Sequence, residues 1–406
     1  MPQNASRLRC GIDTVQLARM ERLLAETPPA DRIDVFCDEE LREAGTGASA
    51  TASLAARFAA KEACLKLLPR ETALGAIEPR DFAICRNGYG EPAVTPSLRA
   101  QQILDQYRLG PIAVSLTHDS DSACAVAIAT PRETRVTALD RAAYNLFPVR
   151  RGTALRNLRR AFADRVEEEE IQRLARASYG HLARSIAEVL VATVVPGAHR
   201  RARVRIENPD SPLRAKDIGR GLLFLTGHFG NWEYVLPAAI EQFPEWRGRF
   251  HFLRKRLPGF LDGFVTRRFT RAGLGVIPTR GGLDTVLDRL AARDAVVFVF
   301  DQHAGGRDGI TVDFMGHPAS TFRSLATIAL STGAPVIPGS SYREPDGTHV
   351  LHFEDPLETI DTGNADADLR ANTQMYNAAL ERMIYRHPEQ WFWLHRRWKD
   401  ARGRVV

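Results

Sequence analysis

From residue 221 onward, short runs made almost wholly of apolar residues alternate with amphipathic stretches. No other feature limits the possible folds of this chain as strongly. Leu222–Thr226, Phe250–Arg254, Ala295–Phe300 and Val336–Ser340 read as strands; Trp232–Ile240, Leu261–Ala272, Leu283–Ala292 and Phe322–Ser331 read as helices. Strands with no regularly alternating polar face are buried on both sides, so the pattern predicts an α/β layer with helices over a sheet. The chain's 406 residues exceed what one such core needs, which points to a second domain.

That domain precedes the α/β layer and has a different pattern. Leu8–Val15 reads as a strand, Gln16–Ala25 and Ser53–Leu68 as helices, and Phe82–Arg86 with Ala93–Thr95 as a hairpin around Asn87-Gly88-Tyr89-Gly90. A helix over Ser97–Tyr107 and strands over Ile112–Thr117 and Ala123–Thr130 complete a compact α+β unit. We expect domains at 1–132 and 151–406, with 133–150, flanked by Pro131 and containing Pro148, as a linker. Composition divides the same way: the five cysteines end at Cys124 and the five tryptophans begin at Trp232. Residues 1–132 carry a net charge of −2 and the rest +8. A basic second part suits phosphate-bearing partners. With 44% hydrophobic and 26% charged residues, collagen-like, disordered and polytopic membrane classes are excluded. The odd cysteine count and the polar first residues lead us to expect a reducing cytoplasm, and no apolar run reaches membrane-spanning length.

In the first domain, Asp13 ends an apolar strand, and Arg57, Lys61, Glu62 and Lys66 fall within a few helical turns. Ser115, Thr117 and His118 end another strand. Two carboxylates from a strand end and a helix suit Mg²⁺, with the cations beside them neutralising a diphosphate. Glu62 and Lys66 four apart are also an ordinary helix salt bridge, and a histidine at a strand end is often structural. Gly11-Ile12-Asp13, Arg57-Phe58-Ala59-Ala60-Lys61-Glu62-Ala63, Gly90-Glu91-Pro92 and Ser115-Leu116-Thr117-His118 resemble, in order and spacing, the holo-acyl-carrier-protein synthase family. The resemblance implies transfer of 4′-phosphopantetheine from coenzyme A to a carrier serine. Asp13 and Glu62 would be the Mg²⁺ ligands and Lys66 would face the departing phosphate. Arg57, Lys61, Ser115, Thr117 and His118 would lie at coenzyme A, and Arg19 at the carrier protein. It also implies a homotrimer.

In the second domain, the predicted strand Leu222–Thr226 runs through Gly227-His228-Phe229-Gly230-Asn231 into a helix that opens with Trp232-Glu233. A histidine at the carboxyl end of an α/β strand sits where such sheets bind ligands. His228 reads as a general base, with Glu233 fixing its tautomer; the competing reading is a core histidine satisfied by the turn. No Gly-x-Ser-x-Gly elbow is present, which favours direct acyl transfer. Together with Arg254, Arg267, Asp301-Gln302 and the closing Pro388–Lys399 block, this set resembles the late acyltransferases of lipid A biosynthesis, within the glycerolipid acyltransferase superfamily. The resemblance implies His228 as base, Glu233 as its partner, Arg254 and Arg267 as phosphate or oxyanion contacts, and Asp301 as a supporting residue.

The combined expectation is an α+β phosphopantetheinyl transferase-like domain followed by an α/β glycerolipid acyltransferase-like domain. Such an enzyme would charge an acyl carrier protein, then move an acyl group from acyl carrier protein to a lipid or glycolipid hydroxyl. Its expected place is the inner face of the cytoplasmic membrane, held peripherally by anionic headgroups and by aromatic side chains near Trp391–Trp398. No nucleic-acid module is recognisable. The alternative is that the first domain is only a carrier-docking and trimerisation module.

Overall fold

A computed structural model describes residues 8–191, 202–243, 246–255 and 260–399; Arg256, two residues after Arg254, and the first seven residues lie outside them. The chain divides into two compact units, residues 1–133 with 164–168, and residues 134–163 with 169–406.

In the first unit, β1 (Arg9–Gln16) is the first strand. A hairpin of β2 (Phe82–Arg86) and β3 (Pro92–Pro96) follows. Then come β4 (Leu109–His118) and β5 (Ser122–Pro131), which join β1 in an antiparallel sheet ordered β1-β5-β4. The helix Ala48–Leu65 covers one face of this sheet. Its Ala55, Ala56, Ala59, Ala60 and Ala63 are buried in one core with Ala123, Ala125, Ala127 and Ala129 of β5. Alanine both favours the helix and leaves no bulk to hold it off the strands. Contact is so close that a Cβ at Gly11 would collide with the Ala63 carbonyl oxygen. Only glycine permits that approach, which brings the strand bearing Asp13 against the turn bearing Glu62 and Lys66.

Lys61 has a different role from the one expected. Its side chain and that of Glu40 are fully buried, and their charges meet at 2.9 Å. The ammonium also donates to the Phe82 carbonyl at 2.7 Å, while Glu40 accepts from the Cys37 and Ile84 amides. This enclosed pair joins the Ala48–Leu65 helix to β2, so Lys61 is a core cation and not a coenzyme contact.

The second unit holds β6 (Val204–Glu207), β7 (Leu222–Thr226), β8 (Phe250–Arg254), β9 (Leu274–Pro278) and β10 (Ala295–Val299). It continues with the separate hairpin β11 (Gly309–Phe314) and β12 (His317–Phe322), then β13 (Val336–Arg343) and β14 (His349–Phe353). The seven-stranded sheet is ordered β6-β14-β13-β7-β10-β8-β9. Its pairs are parallel except β13 with β14. Leu222, Leu223, Phe224 and Leu225 of central β7 are all buried, as a sheet covered on both faces requires. The connection leaving β7 runs across the sheet to β8, and the one leaving β10 runs the opposite way to β13. The carboxyl ends of adjacent β7 and β10 therefore flank a switch-point crevice.

Two expectations are corrected here. Most of the supposed linker is folded: the helix Ala138–Leu146 opens with a Thr137–Asp140 capping box, and Asp140 pairs with Arg184 at 2.7 Å. Tyr144 meets Tyr179 edge-on, so this stretch is part of the second unit. The closing tryptophans do not face lipid. Trp391, Trp393 and Trp398 are at most 2% exposed, packed around Phe314 and Phe162.

Lys61→Met leaves Glu40 charged and buried without its partner, a loss of about 3–5 kcal/mol. The urea transition of the first unit should move down accordingly, while that of the second unit stays in place.

Candidate active sites

In the first unit, Asp13 leaves β1 beside the end of the Ala48–Leu65 helix, and Lys66 Nζ donates to Asp13 Oδ1 at 2.7 Å and to the Ile12 carbonyl at 2.8 Å. Burial pushes the Glu62 carboxyl up, and the neighbouring Asp13 pushes it further, against Lys66 and Arg19. The structure thus gathers Asp13, Glu62, Lys66 and Arg19 into one electrostatic cluster. Two mutually repelling carboxylates, half-buried and offering only oxygen, fit a hard divalent cation. Arg57 is turned inward, held by Glu43 at 2.6 Å, by Ser53 and by the Ile84 carbonyl. Ser115, Thr117 and His118 form an exposed row on β4, with no described hydrogen bond to the Asp13–Glu62–Lys66 cluster.

In the second unit, β7 ends at Thr226 and β10 at Val299, which brings His228 and Asp301 together across adjacent strand ends. The Asp301 carboxylate is completely buried. One oxygen lies 2.9 Å from His228 Nδ1; the other accepts from the His228 amide at 2.7 Å and from Trp391 Nε1 at 2.8 Å. Burial alone would raise the carboxyl, but the His228 ring and these donors hold it well below the ordinary carboxylate range. An ionised oxygen at hydrogen-bond distance requires the proton on Nδ1, which leaves the lone pair on Nε2. His228 therefore has the tautomer of a general base. The expected Glu233 partnership is corrected: the carboxylate on the imidazole belongs to Asp301.

His395, not singled out from the sequence, places Nε2 3.1 Å from His228 Nδ1. The rings of the two histidines meet edge-on at 4.5 Å. His228, Asp301 and His395 offer two nitrogens and a carboxylate within 4.8 Å of one another, a donor set that could also hold a metal ion.

Two cavities meet at His228. One is an apolar slot of about 970 Å³ lined by Leu182, Ile186, Val189, Leu190 and Trp391, among others. The second is a more polar chamber of about 1330 Å³ that reaches Arg254, Lys255, Gln302 and Ser340. Trp232 and Glu233 border both. Burial raises the Glu233 carboxyl, while Arg268 and Arg254 draw it back down. Arg254 is set in place by Asp262 at 2.7 Å and Thr266 at 2.9 Å. Arg267 is exposed and bonds back to the Gly263 carbonyl of its own helix, so its neighbour Arg268 is the arginine acting on Glu233. A one-residue step along a helix turns a side chain by about 100°, and only the packed structure settles which arginine faces inward.

Burial holds His395 down at about 4 and His181 at about 3, both uncharged in the native state. Unfolded imidazoles titrate near 6.5, so below that pH the unfolded chain binds protons the native state refuses. Stability of the second unit should therefore fall progressively from pH 6.5 toward pH 4. The melting temperature measured across that window should drop less steeply in His395→Gln and His181→Gln.

Residues 123–400 match the bacterial lipid A biosynthesis acyltransferase family, and residues 9–127 match the 4′-phosphopantetheinyl transferase superfamily. A holo-[acyl-carrier-protein] synthase of Moorella thermoacetica is 38% identical over 121 residues, 30% of this chain and 92% of that protein. A phosphatidylinositol mannoside acyltransferase of Mycolicibacterium smegmatis is 25% identical over 233 residues, 55% of this chain and 72% of that protein. A solved acyl carrier protein synthase of Mycobacterium tuberculosis is 32% identical, covering 30% of this chain and 96% of its own, with a TM-score of 0.23. The chain thus belongs to the bacterial lipid A biosynthesis acyltransferase family and, through its first unit, to the 4′-phosphopantetheinyl transferase superfamily, a transferase with two activities.

Proposed function

We propose that the first unit moves 4′-phosphopantetheine from coenzyme A to a serine of an acyl carrier protein, and that the second moves an acyl group from acyl carrier protein to a hydroxyl of a lipid or glycolipid. The observation that carries the second step is the contact of His228 Nδ1 with the buried Asp301 at 2.9 Å. An acceptor hydroxyl beside His228 gives its proton to Nε2 as its oxygen attacks the thioester carbonyl. Asp301 stabilises the imidazolium that forms. Collapse breaks the carbon–sulfur bond, and the departing thiolate takes the proton back. Arg254 supplies positive charge beside the reacting carbonyl, and the apolar slot takes the acyl chain.

In the first unit, Asp13 and Glu62 would hold Mg²⁺. When bound, the ion supplies positive charge that screens the pyrophosphate of coenzyme A. Lys66 holds Asp13 in place and adds its own charge beside it. Ser115, Thr117 and His118 are open to the pantetheine or nucleotide portion, and exposed Arg19 is open to an acidic carrier. The docking-only alternative is not better supported, because Asp13, Glu62 and Lys66 are all gathered at one place.

A homotrimer is supported by the face of the β1-β5-β4 sheet opposite the helix. There Ile12, 57% exposed, pairs across strands with Val126, which in turn pairs with Ser115. Ile12→Lys should yield monomers by light scattering. Among the described residues no helix is long and apolar enough to cross a membrane. Peripheral contact with an anionic membrane at its cytoplasmic side is supported by the basic excess of residues 133–406 and by exposed Ile186 and Leu190 at the apolar slot.

The two sites should fail separately. Glu62→Gln, or a chelator, should abolish Mg²⁺-dependent labelling of apo carrier by fluorescent coenzyme A, with acyl transfer from pre-formed acyl carrier retained. His228→Ala should do the reverse, lowering acyl transfer by about 10²–10⁴-fold. Loss of both activities in either folded variant would contradict the two-site account.

A further inference from the structure

The chamber at His228 runs into a third and larger cleft of about 2410 Å³. The cleft shares Leu253, Lys255, Thr279, Val299 and Phe322 with the chamber, and no lining residue with the apolar slot. It lies at the carboxyl ends of three adjacent parallel strands: Lys255 follows β8, Arg280 follows β9, and Arg307 is in the loop after β10. Arg323 is the fourth cation. All four are exposed, and none takes part in an ion pair among the described residues. Asp308 is the one carboxylate lining the cleft.

Two helices of nine residues, Leu283–Ala291 and Ser324–Thr332, also begin on this wall. Their capping positions, Gly282 and Arg323, line the cleft and provide no side-chain cap. Uncapped amides, two positive helix ends and four cations facing one space form an anion site with polarity fixed by the backbone as well as by side chains.

We propose that this cleft binds the phosphate of the acyl donor's phosphopantetheine arm. The inference rests on the acyl-transfer reading of His228. A phosphate on the acceptor lipid would share the same chemistry, but the first unit decides between them. It belongs to a superfamily that installs phosphopantetheine, so every carrier-borne donor reaching His228 has this phosphate, whatever the acceptor. An acyl chain in the slot and a thioester at His228 leave the chamber and the cleft for the arm. The second unit thereby reads the group that the first unit attaches.

All five tryptophans lie in the second unit, so tryptophan fluorescence, excited beyond the tyrosine band, reports ligand binding there, and Trp232 borders both the slot and the chamber. Two inert thioethers, S-decyl-4′-phosphopantetheine and S-decyl-pantetheine, can be titrated into the full-length protein. The phosphorylated compound should bind about tenfold more tightly, equal to about 1.4 kcal/mol. The preference should shrink as salt screens the exposed cations. Arg280→Gln/Arg307→Gln/Arg323→Gln should erase it by weakening only the phosphorylated compound, with carrier labelling by the first unit unchanged. Equal wild-type affinities, or equal weakening of both compounds in the triple variant, would overturn the phosphate site while leaving the acyl-transfer reading intact. A variant that keeps the preference but loses binding of dihexanoyl phosphatidylglycerol would assign the cleft to the acceptor instead. Failure of both thioethers to bind would overturn the acyl-donor reading itself.

Discussion

One buried carboxylate organises the second unit. Asp301 lies just beyond β10, yet its oxygens are taken by the amide and ring of His228 beyond β7 and by the indole of Trp391 in the closing block. An ionised group this deep is tolerable only when every oxygen is engaged. The closing block is therefore built as much around Asp301 as around its own apolar contacts. Its backbone follows the same design: the Phe392 amide donates to the His228 carbonyl, and Gly230 donates to the Gln390 carbonyl. Gly230, at φ 52°, makes room for this turn, because a Cβ there would collide with the Ser341 carbonyl oxygen.

The first unit handles charge in two ways on one helix. Lys61 is sealed in the core against Glu40, with every contact internal. Five residues later Lys66, half-exposed, reaches across to Asp13 while Glu62 is left with a raised carboxyl. The first arrangement ties the helix to β2; the second keeps charge available at the surface. Reactive electrostatics need that contrast, a rigid paired interior beside an incompletely neutralised rim.

Much of this was legible in the residues. The apolar runs marked β7, β8, β10 and β13 to within a few positions, because burial on both faces leaves an unmistakable pattern. Edge strand β6 and its neighbour β14, short and interrupted by polar residues, carried no such signal, and neither did the long Ala365–Arg386 helix, whose buried face includes Asn372, Thr373 and Asn377. His228 was evident from its strand end. Its partner was not, because Glu233 is near in sequence whereas Asp301 is near only through the parallel pairing of β7 with β10. Lys61 and Arg267 failed for a related reason: which side of a helix faces the core, and what waits there, is decided by packing. The tryptophans of the closing block were visible, but composition alone does not say whether aromatic residues face lipid or core.

The central claim is that Asp301, and not Glu233, completes the base at His228. Steady-state acyl transfer from acyl carrier protein in Asp301→Asn and Glu233→Gln, each shown to be folded, tests it most directly. The account predicts a loss of about 10²–10⁴-fold in kcat for Asp301→Asn, a clearly smaller loss for Glu233→Gln, and unchanged carrier labelling in both. Near-normal transfer in Asp301→Asn with transfer abolished in Glu233→Gln would contradict it.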